Sequence, residues 1–320
     1  MDSPLLARPG AVPAQGIDAG VAAHYGDPYA EQRALTRASG QVDRSHRGIV
    51  RITGPDRLSW LHSLTTQDLE HLEPGTSAQA LVLSPQGHIE HHLTLADDGS
   101  AVWAHVEPGT AAPLLAFLQS MRFLLRVEPA EVTGDFAVLT LMGPARPVAA
   151  PEAAVISMAD SFGMDVVVPR DRLPEISAAL DRDGVAVAGL DAYEALRIAA
   201  HRPRLGLDTD HRTLPHEVGW IETAVRLEKG CYRGQETVAR VQNLGKPPRR
   251  LVLAHLSGES DALPTPGTAV DWNGRAVGFL GTAVQHYEYG PIALAVIKRS
   301  LAGDAELSVS GVPLAIDEGV

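Results

Sequence analysis

Two consecutive prolines, Pro247 and Pro248, separate stretches of this chain with different hydrophobic rhythms. Proline fixes φ and lacks an N–H, so neither a helix nor a central strand runs through the pair. Downstream, short apolar runs at 251–256, 269–272, 275–280, 292–297, 307–309 and 313–316 are punctuated by glycine. Short strands at this spacing predict a small barrel or sandwich. Upstream, strands alternate with helical periodicity. Residues 48–53 (GIVRIT) read as a strand, and Gly54-Pro55-Asp56 turns the chain and offers Asp56 as the N-cap of a helix through Leu58, Leu61 and Leu64. Residues 80–83, 89–95 and 102–106 read as an antiparallel meander turned by Ser84-Pro85-Gln86-Gly87. Leu114, Leu115, Leu118, Met121 and Phe123 then recur at helical spacing, before a strand over 136–142 stopped by Gly143-Pro144. A strand over 162–168, a helix over 173–180 and a second helix over 191–199 capped by Asp191 follow.

The fold class expected is α+β. An N-terminal leader covers 1–40, sheet-and-helix units with no strong internal repeat fill 41–245, and a small β-barrel fills 246–320. The leader is expected to be loose, because Pro4, Pro9 and Pro13 crowd it and no basic-then-apolar secretion signal is present. The apolar stretch 111–121 contains Pro113 and is shorter than the roughly 20 residues that span a bilayer, so no membrane partner is expected.

Charge and cysteine content narrow the function classes. With 27 basic against 39 acidic residues the net charge is −12, which opposes direct binding to nucleic acid or an anionic membrane. A single cysteine excludes an internal disulfide and a CxxC zinc site, and points to a reducing, cytoplasmic setting. The phosphate-binding GxxxxGK[ST] and GxGxxG patterns and the GxSxG nucleophile elbow are absent. In His88-Ile89-Glu90-His91-His92, alternation places His88, Glu90 and His92 on one strand face, opposite Ile89, Leu93 and Leu95. No fourth ligand stands out, so the face reads as solvated and no metal is assigned.

The segment richest in chemistry is K-G-C-Y-R-G-Q-E over 229–236, where Gly230 and Gly234 bracket Cys231 and cations stand on both sides. Glycine at both positions predicts a tight loop around a ligand or a presented thiol. From 226 to 250, Arg226, Lys229, Arg233, Arg240, Lys246, Arg249 and Arg250 oppose only Glu228 and Glu236, a local charge of 7 − 2 = +5 in an acidic molecule. That concentration suits an anionic small ligand. A solvated basic loop carrying an inert cysteine fits the same composition.

This octapeptide resembles the signature of the YgfZ family, folate-binding proteins related to the aminomethyltransferase, or T-protein, of the glycine cleavage system. The stretch 48–69 (GIVRITGPDRLSWLHSLTTQDL) is similar to that family's N-terminal strand and helix. A-L-R-I-A at 195–199, L-P-H-E at 214–217 and R-A-V-G-F-L-G-T at 275–282 follow in the family's order. The resemblance implies a T-protein-like fold in which 41–245 forms two related sheet-and-helix subdomains, split near residue 145, around a central channel that holds tetrahydrofolate or a one-carbon-substituted form. It further implies a role in assembly or repair of iron–sulfur clusters, supporting cluster-dependent enzymes such as those that modify tRNA. Partners would be iron–sulfur proteins or assembly factors in transient contact with a monomer.

Against the T-protein pattern, Cys231 replaces the loop aspartate, Gln235 replaces a basic residue, and Ala199 stands where a pterin-holding glutamate is usual. The strand expected to supply a catalytic aspartate offers Glu90 or His91 instead. His201 interrupts the R-I-A-x-G pattern of some YgfZ relatives. The folate-binding residues this implies are Tyr193, Arg197, Lys229, Gly230, Tyr232, Arg233, Gly234, Gln235, Glu236 and Arg240, with Tyr193 and Tyr232 as walls for the pterin and Cys231 as a functional thiol. Lys229 and Arg233, two residues to either side of the thiol, are expected to favour its thiolate. An aminomethyltransferase that moves a one-carbon unit to tetrahydrofolate and a folate-independent scaffold for cluster proteins are the alternatives.

Overall fold

The computed structural model describes residues 1–144, 148–258 and 262–317. The first part of the chain runs β1 (Val12–Pro13), β2 (Ala22–His24), α1 (Pro28–Arg37), β3 (Ser39–Asp43), β4 (Gly48–Thr53), α2 (Arg57–Leu64), β5 (Ser77–Leu83), β6 (Ile89–Asp97), β7 (Ala101–Val106), α3 (Ala111–Ser120), β8 (Glu128–Glu131) and β9 (Phe136–Met142). It continues with β10 (Ile156–Ala159), β11 (Met164–Pro169), α4 (Leu173–Arg182), β12 (Val185–Ala188), α5 (Leu190–Ala199), α6 (Trp220–Ala224) and α7 (Gln235–Leu244). The last elements are β13 (Arg249–Leu256), β14 (Ala269–Trp272), β15 (Arg275–His286), β16 (Gly290–Lys298), β17 (Leu307–Val309) and β18 (Val312–Ile316). They sort into two compact units, Met1–Leu81 with His91–Tyr193, and Val82–Glu90 with Glu194–Val320. The subdomain split expected near 145 lies outside the described residues.

The first unit is built on two five-stranded sheets, ordered β10-β11-β9-β3-β12 and β5-β6-β7-β4-β8. Strand β9 is apolar on both faces because both are covered. Val138 joins Ile49, Ala96, Ala101, Trp103, Ile156, Met158 and Val167 in a core shared by the two sheets. Ala137, Leu139 and Leu141 face the other way and pack with Leu173, Ile176 and Leu180 of α4 and with Leu5. Each such side chain contributes about 1.5–3 kcal/mol on burial.

Several local expectations are corrected here. The leader is not loose: Leu5 is 2 % exposed within that core, Ser3 N donates to Gly20 O at 2.7 Å, and the Ser3 hydroxyl bonds Asp43. Pro4 opens a 3-10 turn, where its missing N–H goes unneeded. Asp56 is the N-cap of α2, as expected, but makes no side-chain cap bond; its carboxylate accepts from Arg126 N, Nε and Nη2 at 2.9, 3.1 and 2.7 Å. A guanidinium donor pair binds a carboxylate more strongly than a lone backbone amide does. Asp191 lies inside α5, which begins at Leu190. Helix α3 stops at Ser120, and Phe123 beyond it has φ 45°, so neither Met121 nor Phe123 belongs to it.

The second unit contains a closed barrel of order β13-β16-β15-β14-β17-β18. Its interior holds Val252, Ala254, Val270, Val277, Leu280, Ala295, Ile297, Leu307 and Leu314, while alternate residues Leu253, Ile292 and Leu294 turn outward onto Ile198 of α5. The strand expected to stop at 280 runs on to His286 across a register shift between Leu280 and Ala283. A bulge there bends the strand around the barrel wall without ending it. Among the described residues no helix is long and apolar enough to cross a membrane.

Candidate functional site

In the second unit the octapeptide loop leads into α7, whose N-cap is Gly234 at φ 81°. A side chain at Gly234 would place its Cβ 2.6 Å from Ser84 O and 3.0 Å from the Cα of Gly87. Gly87 has φ 82°, and a Cβ there would meet the Thr237 side chain at 2.8 Å. The two glycines thus let the loop and the Ser84–Gly87 turn lie backbone against backbone. Arg233 fastens the same contact, its Nη1 donating to Glu90 Oε2 at 3.0 Å. Gly230 does otherwise than expected: its φ is not in the left-handed region, and a Cβ there meets nothing within 4 Å. Only one of the two bracketing glycines therefore shapes the loop.

Cys231 is exposed at the crest of this braced loop. The cations expected to flank its thiol are directed to other groups. Lys229 is 8 % exposed, with its Nζ 5.4 Å from the centre of the Tyr232 ring, a cation–π distance. Arg233 meets Glu90. Tyr232 is 8 % exposed, and burial pushes its phenol up to about 12, so it stays a neutral hydroxyl. Gln235 is half-buried, while Glu236 and Arg240 are exposed on α7. Much of the basic excess is also neutralised locally, since Arg249 donates to Asp210 at 2.7 Å and to Glu217 at 2.8 Å, and Arg226 lies 3.7 Å from Glu228.

Arg197 is 1 % exposed, and both of its terminal nitrogens are engaged within the second unit while its buried Nε has no hydrogen-bond partner. Its Nη1 donates to Asp208 Oδ2 at 2.8 Å and Arg202 O at 2.9 Å, and its Nη2 to Glu194 Oε2 at 2.5 Å and Thr282 Oγ1 at 2.7 Å. Glu194 also accepts from Arg204 at 3.0 Å. Arg197 thus meets carboxylates of its own chain and braces α5 to the strand carrying Thr282; it is no surface ion pair. The Glu194–Arg197 spacing of three on one helix was the available clue; Asp208 carried none, because it lies in a loop outside that helix and meets Arg197 of α5 and Thr282 of β15 only in space.

The first unit holds a second buried polar array that sequence reasoning did not find. Glu107 accepts from Arg47 Nη1 at 2.7 Å, and Arg47 Nε donates to His105 Nδ1 at 2.8 Å. The proton of His105 is thereby placed on Nε2, which lies 2.9 Å from Asp165 Oδ2. Burial and the Arg47 charge keep His105 neutral well below its ordinary range. Burial opposes the charge on Asp165, but Arg44 and the His105 contact outweigh it and hold that carboxyl far below the usual carboxylate range. The Arg44 guanidinium then lies 4.4 Å over the ring of Tyr193, with Phe162 edge-on at 5.6 Å. Tyr193 is 7 % exposed, a ring held by Arg44 and Phe162. On β6, His91 faces inward with Ile89 and Leu93, and burial pushes it down to about 4; His92 bonds Gln79 at 3.1 Å, and Glu90 is the exposed member of the trio.

Residues 21–153 match the model of the GCVT N-terminal domain. A chloroplastic protein of Arabidopsis thaliana named as a transferase is 26% identical over 272 residues, 75% of this chain, and the chain spans 60% of that relative's length. The aminomethyltransferase of Synechococcus sp. (strain WH7803) is 27% identical over 85% of this chain and 83% of its own. That of Moorella thermoacetica is 25% identical over 90% and 87%. The crystal structure of glycine cleavage system aminomethyltransferase T from Bartonella henselae superposes with a TM-score of 0.83 at 17% identity, over 98% of this chain and 94% of that one. This chain is therefore similar over residues 21–153 to the GCVT N-terminal domain and takes the fold of aminomethyltransferase T.

Proposed function

We propose that the chain binds a reduced folate, tetrahydrofolate or a one-carbon-substituted form, and acts as an accessory protein in iron–sulfur cluster assembly or repair, with Cys231 as its working group. The observation that carries this reading is an exposed cysteine at the crest of a loop locked to the Ser84–Gly87 turn by Gly234 and the Arg233–Glu90 pair. The aminomethyltransferase T fold and the relatives named aminomethyltransferase support the folate part. The residues present suit such a ligand: Tyr232 offers a neutral aromatic hydroxyl beside the Lys229 cation, and Arg240 stands exposed on α7 for a carboxylate tail. Arg197 and Arg44 act through others, the first fixing α5 and the second holding Tyr193.

Cys231 engages an iron–sulfur partner by a transient thiolate contact. One cysteine does not hold a cluster, which takes about four. A lone exposed thiol suits a reducing compartment such as the cytoplasm. Titration of tetrahydrofolate against tryptophan fluorescence and melting temperature tests the folate part. Ligand at a hundredfold excess over Kd adds about 2.7 kcal/mol of stability. A flat melting temperature to millimolar folate rejects it. Cys231→Ser, expected to fold and bind folate but to fail in restoring cluster-enzyme activity to cells lacking the protein, tests the rest. Turnover with an aminomethyl-lipoyl donor returns the chain to the aminomethyltransferases, and complementation that persists in a variant blind to folate leaves the scaffold reading.

A further inference from the structure

The loop from Asp210 to Glu217, in the second unit, is pinned at both ends by one side chain of the barrel. Arg249, at the start of β13, donates from Nη1 and Nη2 to Asp210 at 2.7 and 3.0 Å, and from Nε and Nη2 to Glu217 at 2.9 and 2.8 Å. The Glu217 side chain is 1% exposed, so without the guanidinium a buried carboxylate would face a second one with no cation between them. Between the two ends lies Thr213, fully buried, whose hydroxyl donates to Asp210 Oδ1 at 2.7 Å and whose N–H donates to Asp210 O at 3.1 Å. The Thr213 carbonyl accepts from Ile89 N at 3.0 Å. Ile89 stands between the two residues that brace the thiol loop. Gly87, two positions before it, packs against Gly234 and Thr237, and Glu90, next to it, accepts from Arg233. A continuous path of ion pairs, hydrogen bonds and backbone contact, all within the second unit, thus runs from the barrel wall to the loop that carries Cys231.

We propose that Arg249 is a positioning residue for Cys231. By closing the 210–217 loop it fixes the Thr213 carbonyl, through that carbonyl Ile89 and the Ser84–Gly87 turn, and through the turn the thiol loop. The inference deepens the reading of Cys231 as the working group and, for its functional consequence, rests on that reading. The fork is what the role requires. A planar guanidinium with five donors meets two carboxylates at once, whereas an ammonium is a point charge that does not reproduce four directed bonds. When the fork is lost, repulsion between Asp210 and Glu217 parts the two ends of the loop. A thiol carried on a fixed backbone meets a partner without the cost of ordering its own loop at the moment of contact.

Because Cys231 is the one cysteine of the chain and is exposed, a nitroxide attached to it reports on this loop alone. Electron paramagnetic resonance spectra are compared for the labelled full chain, for Arg249→Gln, Arg249→Lys and the milder Asp210→Asn, and for Val309→Ala. The last truncates the barrel core and serves as a control for lost stability, measured by urea titration on each variant. The label should tumble at least about twofold faster in Arg249→Gln, by less in Arg249→Lys and Asp210→Asn, and as in wild type in Val309→Ala. Complementation of cluster-enzyme activity, at matched protein levels, should fall several-fold in Arg249→Gln and recover in part in Arg249→Lys. Label motion in Arg249→Gln equal to that of wild type, or motion that follows the urea midpoint in Val309→Ala as much as in the Arg249 variants, would overturn the proposal. Full complementation by Cys231→Ser would instead remove the thiol reading, and it is told apart from these results because the spectra concern the loop alone.

Discussion

The two glycines of the thiol loop make a paired test of how the site is built. At Gly234 an alanine faces two penalties. Its φ of 81° lies in the left-handed region, which costs an L-residue about 1–2 kcal/mol. Its Cβ would also stand 2.6 Å from the backbone oxygen of Ser84 and 3.0 Å from the Cα of Gly87, atoms that no rotamer change moves aside. Overpacking of this kind typically costs about 1–3 kcal/mol, so Gly234→Ala should destabilise the second unit by about 3 kcal/mol in total. Gly230→Ala faces neither penalty, since no atom lies within 4 Å, and restricting the unfolded chain should leave stability unchanged or raised by about 0.4–1 kcal/mol. Urea titration followed by tryptophan fluorescence, with Trp220 and Trp272 reporting on this unit, measures both. Hydrogen exchange of the α7 amides locates the effect, and Gly234→Ala should accelerate exchange there first. Variants whose midpoints agree within about 0.5 kcal/mol of each other would refute the claim that backbone contact between loop and turn positions Cys231.

Three further outcomes are expected. Gly281→Ala would bring a Cβ within 2.3 Å of Asp208 Oδ1, displacing the carboxylate that pairs with buried Arg197, and should cost about 3–5 kcal/mol by urea titration, as breaking a buried pair does. An unchanged midpoint would mean that Asp208 is not needed to hold Arg197. Acidification from pH 7 toward 5 should lower stability, because His91, pushed down to about 4, and His105, also lowered, stay neutral in the folded state while the unfolded chain takes up protons below about 6.5. The loss grows at up to about 1.4 kcal/mol per pH unit per histidine and is complete once pH falls through the folded values; a urea midpoint flat over this range, in wild type and in His91→Gln alike, would contradict it. Asp56→Ala should loosen the turn at residues 122–125, seen as faster proteolysis between Arg122 and Arg126, while α2, which gains nothing from Asp56 as a cap, keeps its helical exchange protection.

What the sequence determined by itself is the local periodicity. The strand over residues 48–53, the strand over 136–142 and the barrel strands at 269–272 and 307–309 stand where short apolar runs and glycine or proline punctuation put them, because a buried sheet face demands apolar residues whatever covers it. The octapeptide likewise announced a loop of consequence with a single thiol. Partner choice was decided only by the tertiary structure. Asp56 is the N-cap of α2 by sequence and in space, but its carboxylate goes to Arg126, seventy residues away, whose charged fork outcompetes a backbone amide. Arg233 and Lys229 flank Cys231 in sequence, while in space Arg233 meets Glu90 and Lys229 lies against the Tyr232 ring. Gly230 and Gly234 are equivalent letters in the motif, and only the approach of the Ser84–Gly87 turn separates them. The arrays around Asp208 and Asp165 were invisible for the same reason: a buried charge is stable only where distant strands and helices deliver its counter-charges, and one-dimensional spacing does not carry that information.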